Sequence, residues 1–227
     1  MSVLDEIRGG LIVSVQARSG SAIDDPYVLA AMAAAAQANG AVAVRIAGTA
    51  NLLAVRARVA IPIIGIIKRE YPGFEPYITP TALEIAEIVA CGAEIVAFDA
   101  TNRPRPGGFS TEELTEVIHA RGCLAMGDCA TEDDTARADA SGCDIVATTL
   151  AGYTCETAAQ NLPALGLLEN MRGRGSFAVC EGGIASPAQL AEAFAAGAEA
   201  VVVGTAITNV DALVGEFAAR TDKMKHR

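Results

Sequence analysis

The chain contains no tryptophan, and aromatic residues make up only 4% of its 227 positions. Bulky rings therefore do not fill its interior. Alanine and glycine are abundant instead, and such small residues let helices and strands approach closely. Paired cysteines are missing too: those at 91, 123, 129, 143, 155 and 180 form no C-x-x-C pair and have no histidine nearby to complete a zinc set. They read as free thiols, mostly buried as small hydrophobes, and no metal or other cofactor is expected. An excess of basic charge is absent, and the formal net charge of −10 argues against an extended nucleic-acid surface while leaving room for a basic pocket. A membrane-length apolar run is absent as well, and the start, Met1 to Gly10, carries Asp5, Glu6 and Arg8 rather than the apolar core of a signal peptide. The expectation is a soluble, unprocessed cytoplasmic protein that engages neither membrane nor nucleic acid. No Ser/Gly/Pro-rich linker divides the chain, so one domain spanning 1–227 is expected. With 52% hydrophobic and 19% charged residues, it is apolar enough to bury one large core.

What is present is a repeat of short apolar runs: Leu11 to Gln16, Ala41 to Ala47, Ile61 to Lys68, Ile95 to Ala100, Cys123 to Asp128, Ile145 to Leu150, Ser176 to Glu181 and Ala200 to Gly204. Each run is continuous rather than alternating, as strands buried on both faces of a parallel sheet are, and each is followed by a segment of helix length. Helix starts are expected at Asp25, Thr79, Ser110, Thr131 and Ser186, and glycines 40, 92, 142 and 197 mark helix ends. Eight βα units suit a closed α/β (β/α)8 TIM barrel better than an open doubly wound sheet.

In such barrels the working residues lie at the carboxyl ends of the strands. Here the runs end in Gln16, Arg45, Lys68, Asp99, Asp128, Thr148 or Thr149, Glu181, and Gly204 with Thr205. Side chains two apart on a strand point the same way, which groups Lys68 with Ile66 and Ile64, Arg45 with Ala43 and Ala41, Asp128 with Met126, Glu181 with Val179 and Gln16 with Ser14. All are expected to converge in the barrel mouth. One such charge alone could be a solvated strand end; Arg45, Lys68, Asp128 and Glu181 together point to a site. Phosphate binding in barrels commonly uses the loops after strands 7 and 8, where backbone N–H groups face the anion. Gly182, Gly183, Gly204 and Thr205 occupy those loops, and their small size allows close backbone approach.

The stretches Gly9 to Ala17, Ile64 to Gly73, Tyr77 to Thr81, Asp99 to Thr101 with Arg103 to Pro106, Thr148 to Leu150 with Gly152 to Thr154, and Glu181-Gly182 resemble the N-acetylmannosamine-6-phosphate 2-epimerase family. The resemblance runs in register with all eight strands. It implies metal-free interconversion of N-acetylmannosamine 6-phosphate and N-acetylglucosamine 6-phosphate in amino-sugar and sialic-acid catabolism. Carried over by position, Lys68 is similar to the family's catalytic base and Glu181 to its partner acid, while Gln16, Arg45 and Asp128 match positions that hold the sugar. Thr149 and Tyr153 are further candidate sugar contacts, although Tyr153 could equally be a loop-packing ring. A homodimer is plausible from the apolar barrel helices.

The chemistry agrees with that assignment. Inverting a carbon centre means removing its proton and returning one on the other face, which two groups on opposite sides of the substrate can do. An ordinary lysine, with a pKa of about 10.4, must be lowered by burial or a nearby cation, for which Arg45 and Arg69 are candidates; Glu181 needs an upward shift. Two positions depart from the family pattern: Gly183, where a basic residue is usual, and Asn209, where an arginine is usual. Cys129-Ala130 also follows Asp128 where a hydroxyl is common. Arg103 and Arg105 either compensate for the lost charge or brace their loop through Asp99. His119 falls in a helix and His226 in a basic, frayed tail from Lys223 to Arg227, so neither is a catalytic candidate. Two alternatives stay open: a Schiff-base aldolase using Lys68 on a phosphorylated sugar, and a barrel that binds a sugar phosphate without catalysis.

Overall fold

The structure, a computed structural model, describes residues 1–225. Eight parallel strands pair in chain order, and the last returns to the first to close a barrel. They are β1 (Leu11–Val15), β2 (Ala43–Ala47), β3 (Ile63–Ile66), β4 (Ile95–Asp99), β5 (Leu124–Asp128), β6 (Ile145–Ala147), β7 (Phe177–Glu181) and β8 (Ala200–Val203). Between and around them run α1 (Val3–Ile7), α2 (Pro26–Ala38), α3 (Thr49–Arg56), α4 (Ala82–Ala90), α5 (Thr111–His119), α6 (Glu132–Ala140), α7 (Leu165–Asn170), α8 (Pro187–Ala196), α9 (Thr205–Thr208) and α10 (Val210–Lys225). The expected barrel and its eight strands are therefore present, with the strands trimmed at their ends. Helix α10 continues to Lys225 where a frayed tail was expected, and His226 and Arg227 lie outside the described residues.

The helices start where side chains can satisfy their orphan N–H groups. Asp25 caps α2, Ser110 caps α5, Thr131 caps α6 and Ser186 caps α8. The exception is α4, whose cap is Thr81 in a capping box with Glu84, not Thr79. Thr79 is engaged elsewhere, with Ile67.

Two apolar layers sandwich the strands. One lies between strands and helices; the other fills the barrel with Ile12, Ala43, Ile64, Ile95, Met126, Ile145, Val179 and Val202 among its members. Ala41 belongs to the outer layer, so its expected grouping with Ala43 and Arg45 fails. It precedes β2, and strict alternation holds only within a strand. Gly65 shows what the small residues do: a Cβ there would sit 2.4 Å from Cγ2 of Ile88, so β3 and α4 touch through that position.

Helix α1 closes the amino-terminal end of the barrel. Its Ile7 is fully buried in the inner layer, which contributes about 1.5–3 kcal/mol for a side chain of this size. The floor is thus apolar and plugged. No helix among the described residues is long and apolar enough to cross a membrane. All six cysteines are free, and only Cys155 is exposed.

Candidate active site

Stepping two residues beyond the inner apolar layer reaches Ser14 from Ile12, and Gln16 two further on, Arg45 from Ala43, Lys68 from Ile66, Asp99 from Ala97, Asp128 from Met126, Thr149 from Ala147 and Glu181 from Val179. At the carboxyl-terminal mouth Arg45, Asp128, Thr149 and Glu181 touch one another, whereas Asp99 turns to Thr101 and Arg103.

Arg45 reaches from β2 across the mouth to β5 and β7. Its Nη1 and Nη2 donate to Oδ1 and Oδ2 of Asp128 at 3.0 and 2.6 Å, and Nη1 also donates to Oε2 of Glu181 at 2.7 Å. The Arg45 side chain is 1% exposed and that of Asp128 is fully buried. Removing one member of such a pair strands a charge in low dielectric, at a cost of about 3–5 kcal/mol. The Thr149 hydroxyl lies 2.7 Å from Oδ1 of Asp128 and 3.3 Å from Oε2 of Glu181, so it bridges the two carboxylates. Thr148 fixes the backbone beneath: its hydroxyl donates to the Glu181 carbonyl at 2.9 Å and accepts from the Glu181 N–H at 3.0 Å. Of the two residues expected at this strand end, Thr149 thus faces the carboxylates and Thr148 the backbone of β7.

These surroundings displace both candidate proton carriers from their ordinary pKa values. Burial pushes the Glu181 carboxyl up to about 7, with the Asp128 carboxylate adding to the effect and Arg45 opposing it. Loss of water, and then the Arg45 guanidinium, hold Lys68 below the usual lysine value, against the pull of Glu181 and Asp128. Each group thus senses the other's charge. In a closed eight-stranded barrel β3 and β7 lie four strands apart, so the amine and the carboxyl approach the mouth from opposite walls. Among the described residues, no carboxylate is ion-paired with Lys68.

Arg69 does not supply the expected second cation. It pairs with Glu84 and Glu87 of α4, because consecutive side chains on extended backbone point to opposite sides. Lys68 itself lies beyond β3, on a short antiparallel ribbon in which it faces Ile78. Arg69 N–H donates to the Tyr77 carbonyl at 2.9 Å, and Thr79 N–H to the Ile67 carbonyl at 2.7 Å. Thr79 is fully buried and adopts a φ of +45°. For a β-branched residue this is strain of about 1–3 kcal/mol.

The other candidates line the rim. The Gln16 amide donates to the Ser14 hydroxyl at 2.8 Å and leaves its Oε1 buried without a partner. Gly182 and Gly183 have φ of 108° and 75°, and the exposed Tyr153 ring borders Gly182. A Cβ at Gly183 would lie 2.3 Å from Cβ of Leu162, so this loop has no room for a basic side chain there. Gly204 brings β8 against Ser14, where a Cβ would sit 3.2 Å from the serine Cβ, and Thr205 opens the single turn of α9. Asn209 accepts from the Ala212 N–H at 3.0 Å and so caps α10. Arg103 pairs with Asp99 and Glu75, and Arg105 donates to the carbonyls of Asp99, Thr101 and Phe109. Both brace their loop, one of the two roles expected for them. His119 pairs with Asp144 on the outer surface. Among the described residues, no cluster of His, Cys, Asp and Glu has the makings of a metal site.

A family model described as "Putative N-acetylmannosamine-6-phosphate epimerase" matches residues 29–223. A protein of Klebsiella pneumoniae subsp. pneumoniae is 45% identical over 209 residues, covering 92% of this chain and 88% of its own length. One from Caldanaerobacter subterraneus subsp. tengcongensis is 39% identical over 220 residues, covering 96% of this chain and 93% of its own. Both bear the name "Putative N-acetylmannosamine-6-phosphate 2-epimerase". The solved structure of the N-acetylmannosamine-6-phosphate 2-epimerase from Clostridium perfringens superposes with a TM-score of 0.93 at 38% identity, covering 96% of each chain.

Proposed function

The chain belongs to the N-acetylmannosamine-6-phosphate epimerase family, and from that premise we propose that it interconverts N-acetylmannosamine 6-phosphate and N-acetylglucosamine 6-phosphate, with Lys68 and Glu181 moving the C2 proton. The observation that carries this assignment is the placement of an amine with a lowered pKa and a carboxyl with a raised one on opposite walls of one mouth. Neutral Lys68 takes the proton from one face of C2, and protonated Glu181 delivers its own to the other. After one turnover the amine is charged and the carboxylate is bare. That is the state required for the reverse reaction, or one that exchange with water resets. Proton transfer between positioned groups accounts for about 10²–10⁴ in rate each.

Arg45, Asp128, Gln16 and Thr149 set the sugar against this pair, with Tyr153 over the rim. Arg45 and Thr149 act largely by fixing the two carboxylates, to which their hydrogen bonds run, although the Arg45 Nε is left without a partner. The 6-phosphate is held by backbone N–H groups of Gly182, Gly183, Gly204 and Thr205, three of which have no side chain of their own to stand in the way. The work is placed in cytoplasmic amino-sugar and sialic-acid catabolism, with no cofactor. A homodimer is supported by α10, whose Val210, Val214 and Phe217 form an exposed apolar stripe at i, i+4 and i+7.

Proton NMR of the purified protein with N-acetylmannosamine 6-phosphate and its unphosphorylated sugar tests the substrate assignment. Conversion of the phosphorylated sugar to its C2 epimer, with the free sugar turned over poorly, is expected. Absence of conversion of the phosphorylated sugar would overturn it.

A further inference from the structure

The amine of Lys68 is carried by a ribbon rather than by the barrel wall, so whatever fastens the ribbon aims the amine. We infer that Thr79 is a positioning residue for Lys68, holding the peptide beside it in register; the inference rests on Lys68 being the base.

Thr79 meets the preceding residue, Ile67, twice. Its N–H donates to the Ile67 carbonyl at 2.7 Å, and its hydroxyl accepts from the Ile67 N–H at 3.2 Å. Both backbone polar groups of Ile67, the residue before Lys68, are therefore held by Thr79. The ribbon is then tied to β4 by the Asp99 N–H, which donates to the Ile78 carbonyl at 3.0 Å. On its outer side, buried Glu84 collects Arg69, the Tyr71 hydroxyl and Thr81.

Local conformation does not explain a threonine here. At a φ of +45° glycine fits better, and the helix-capping task belongs to Thr81. What threonine adds is the hydroxyl on Ile67, bought with backbone strain. Strain retained at a position that touches the peptide of a reacting side chain fits a role in aiming that side chain.

The test compares Thr79→Gly, Thr79→Ala, Thr79→Ser and Lys68→Ala. Glycine removes the hydroxyl while relieving the strain, so that variant is expected to fold, as circular dichroism will report. Its kcat is expected to fall about ten- to a hundredfold, the scale of an ångström-sized misplacement, with KM little changed. The limb of the kcat profile set by Lys68 shifts, because a displaced amine changes its distance from the Arg45, Glu181 and Asp128 charges that move its pKa. Thr79→Ser, which keeps the hydroxyl, restores both. A folded Thr79→Gly or Thr79→Ala protein with wild-type kcat and pH profile, beside an inactive Lys68→Ala, overturns the positioning role alone. Unchanged C2 exchange in Lys68→Ala removes Lys68 as the base and the inference with it.

Discussion

The two walls of the mouth are built on different plans. On the β5 to β7 side, Asp128, Thr149 and Glu181 interlock with Arg45, which reaches across from β2, through hydrogen bonds among nearly buried groups. On the β3 side, Lys68 stands on a ribbon, and among the described residues no carboxylate is paired with it. The first wall joins function to stability, because its charges compensate one another. The second separates them, since deleting the amine leaves no buried charge behind. One arginine serves both: it anchors the carboxylates, and its charge lowers the pKa of the lysine.

Substitutions on each wall sharpen that contrast. Lys68→Ala should cost about two to four orders of magnitude in turnover, with a thermal midpoint close to that of the parent; a large fall in the midpoint would show that the second wall is structural as well. Arg45→Met should destabilise the fold by about 3–5 kcal/mol in denaturant titration, since Asp128 and Glu181 lose their shared cation. A loss under 1 kcal/mol would break the claim that the first wall interlocks. Glu181→Gln probes the same wall through pH. The folded-state pKa of Glu181 is raised, so its favourable contribution is complete below the ordinary carboxyl value of 4.5 and is lost as pH rises through about 7. The stability of the glutamine variant relative to its parent should therefore be more favourable at pH 8.5 than at pH 5. Equal differences at both pH values would deny the shift. Thr149→Val should have the smallest effect, about 1 kcal/mol for the lost hydrogen bonds, together with an upward move of the Glu181 limb in the pH–rate profile.

The barrel was legible because strands buried on both faces must be continuous apolar runs, and the eight runs from Leu11 to Gly204 have that form. The candidate site was legible by parity, since Arg45, Asp128 and Glu181 each follow an inner-layer residue by two; the choice between Thr148 and Thr149 stayed open, and the fold turns Thr149 toward the carboxylates. Parity failed ahead of β2, where Ala41 falls in the outer layer. Lys68 keeps its parity with Ile64 and Ile66, but the ribbon that pairs it with Ile78 past the end of β3 is not marked by any apolar run. Thr79 resembled a helix cap because a hydroxyl before proline is an ordinary start signal; its engagement with Ile67 appears only in three dimensions. Arg69 seemed a neighbour of the amine by sequence, yet Glu84 and Glu87 draw it to the outer face. Helix α1 is too short for periodicity to reveal, and its role as a plug depends on Ile7 meeting the barrel interior.

The central claim is that a proton leaves C2 to the amine of Lys68 and another returns from Glu181. Proton NMR in deuterated water, following the C2 resonance with the parent protein and with Lys68→Ala under identical conditions, tests it most directly. The account predicts deuterium at C2 of the epimerised sugar with the parent and retention of the C2 proton with the variant; equal rates of C2 exchange in the two proteins would contradict it.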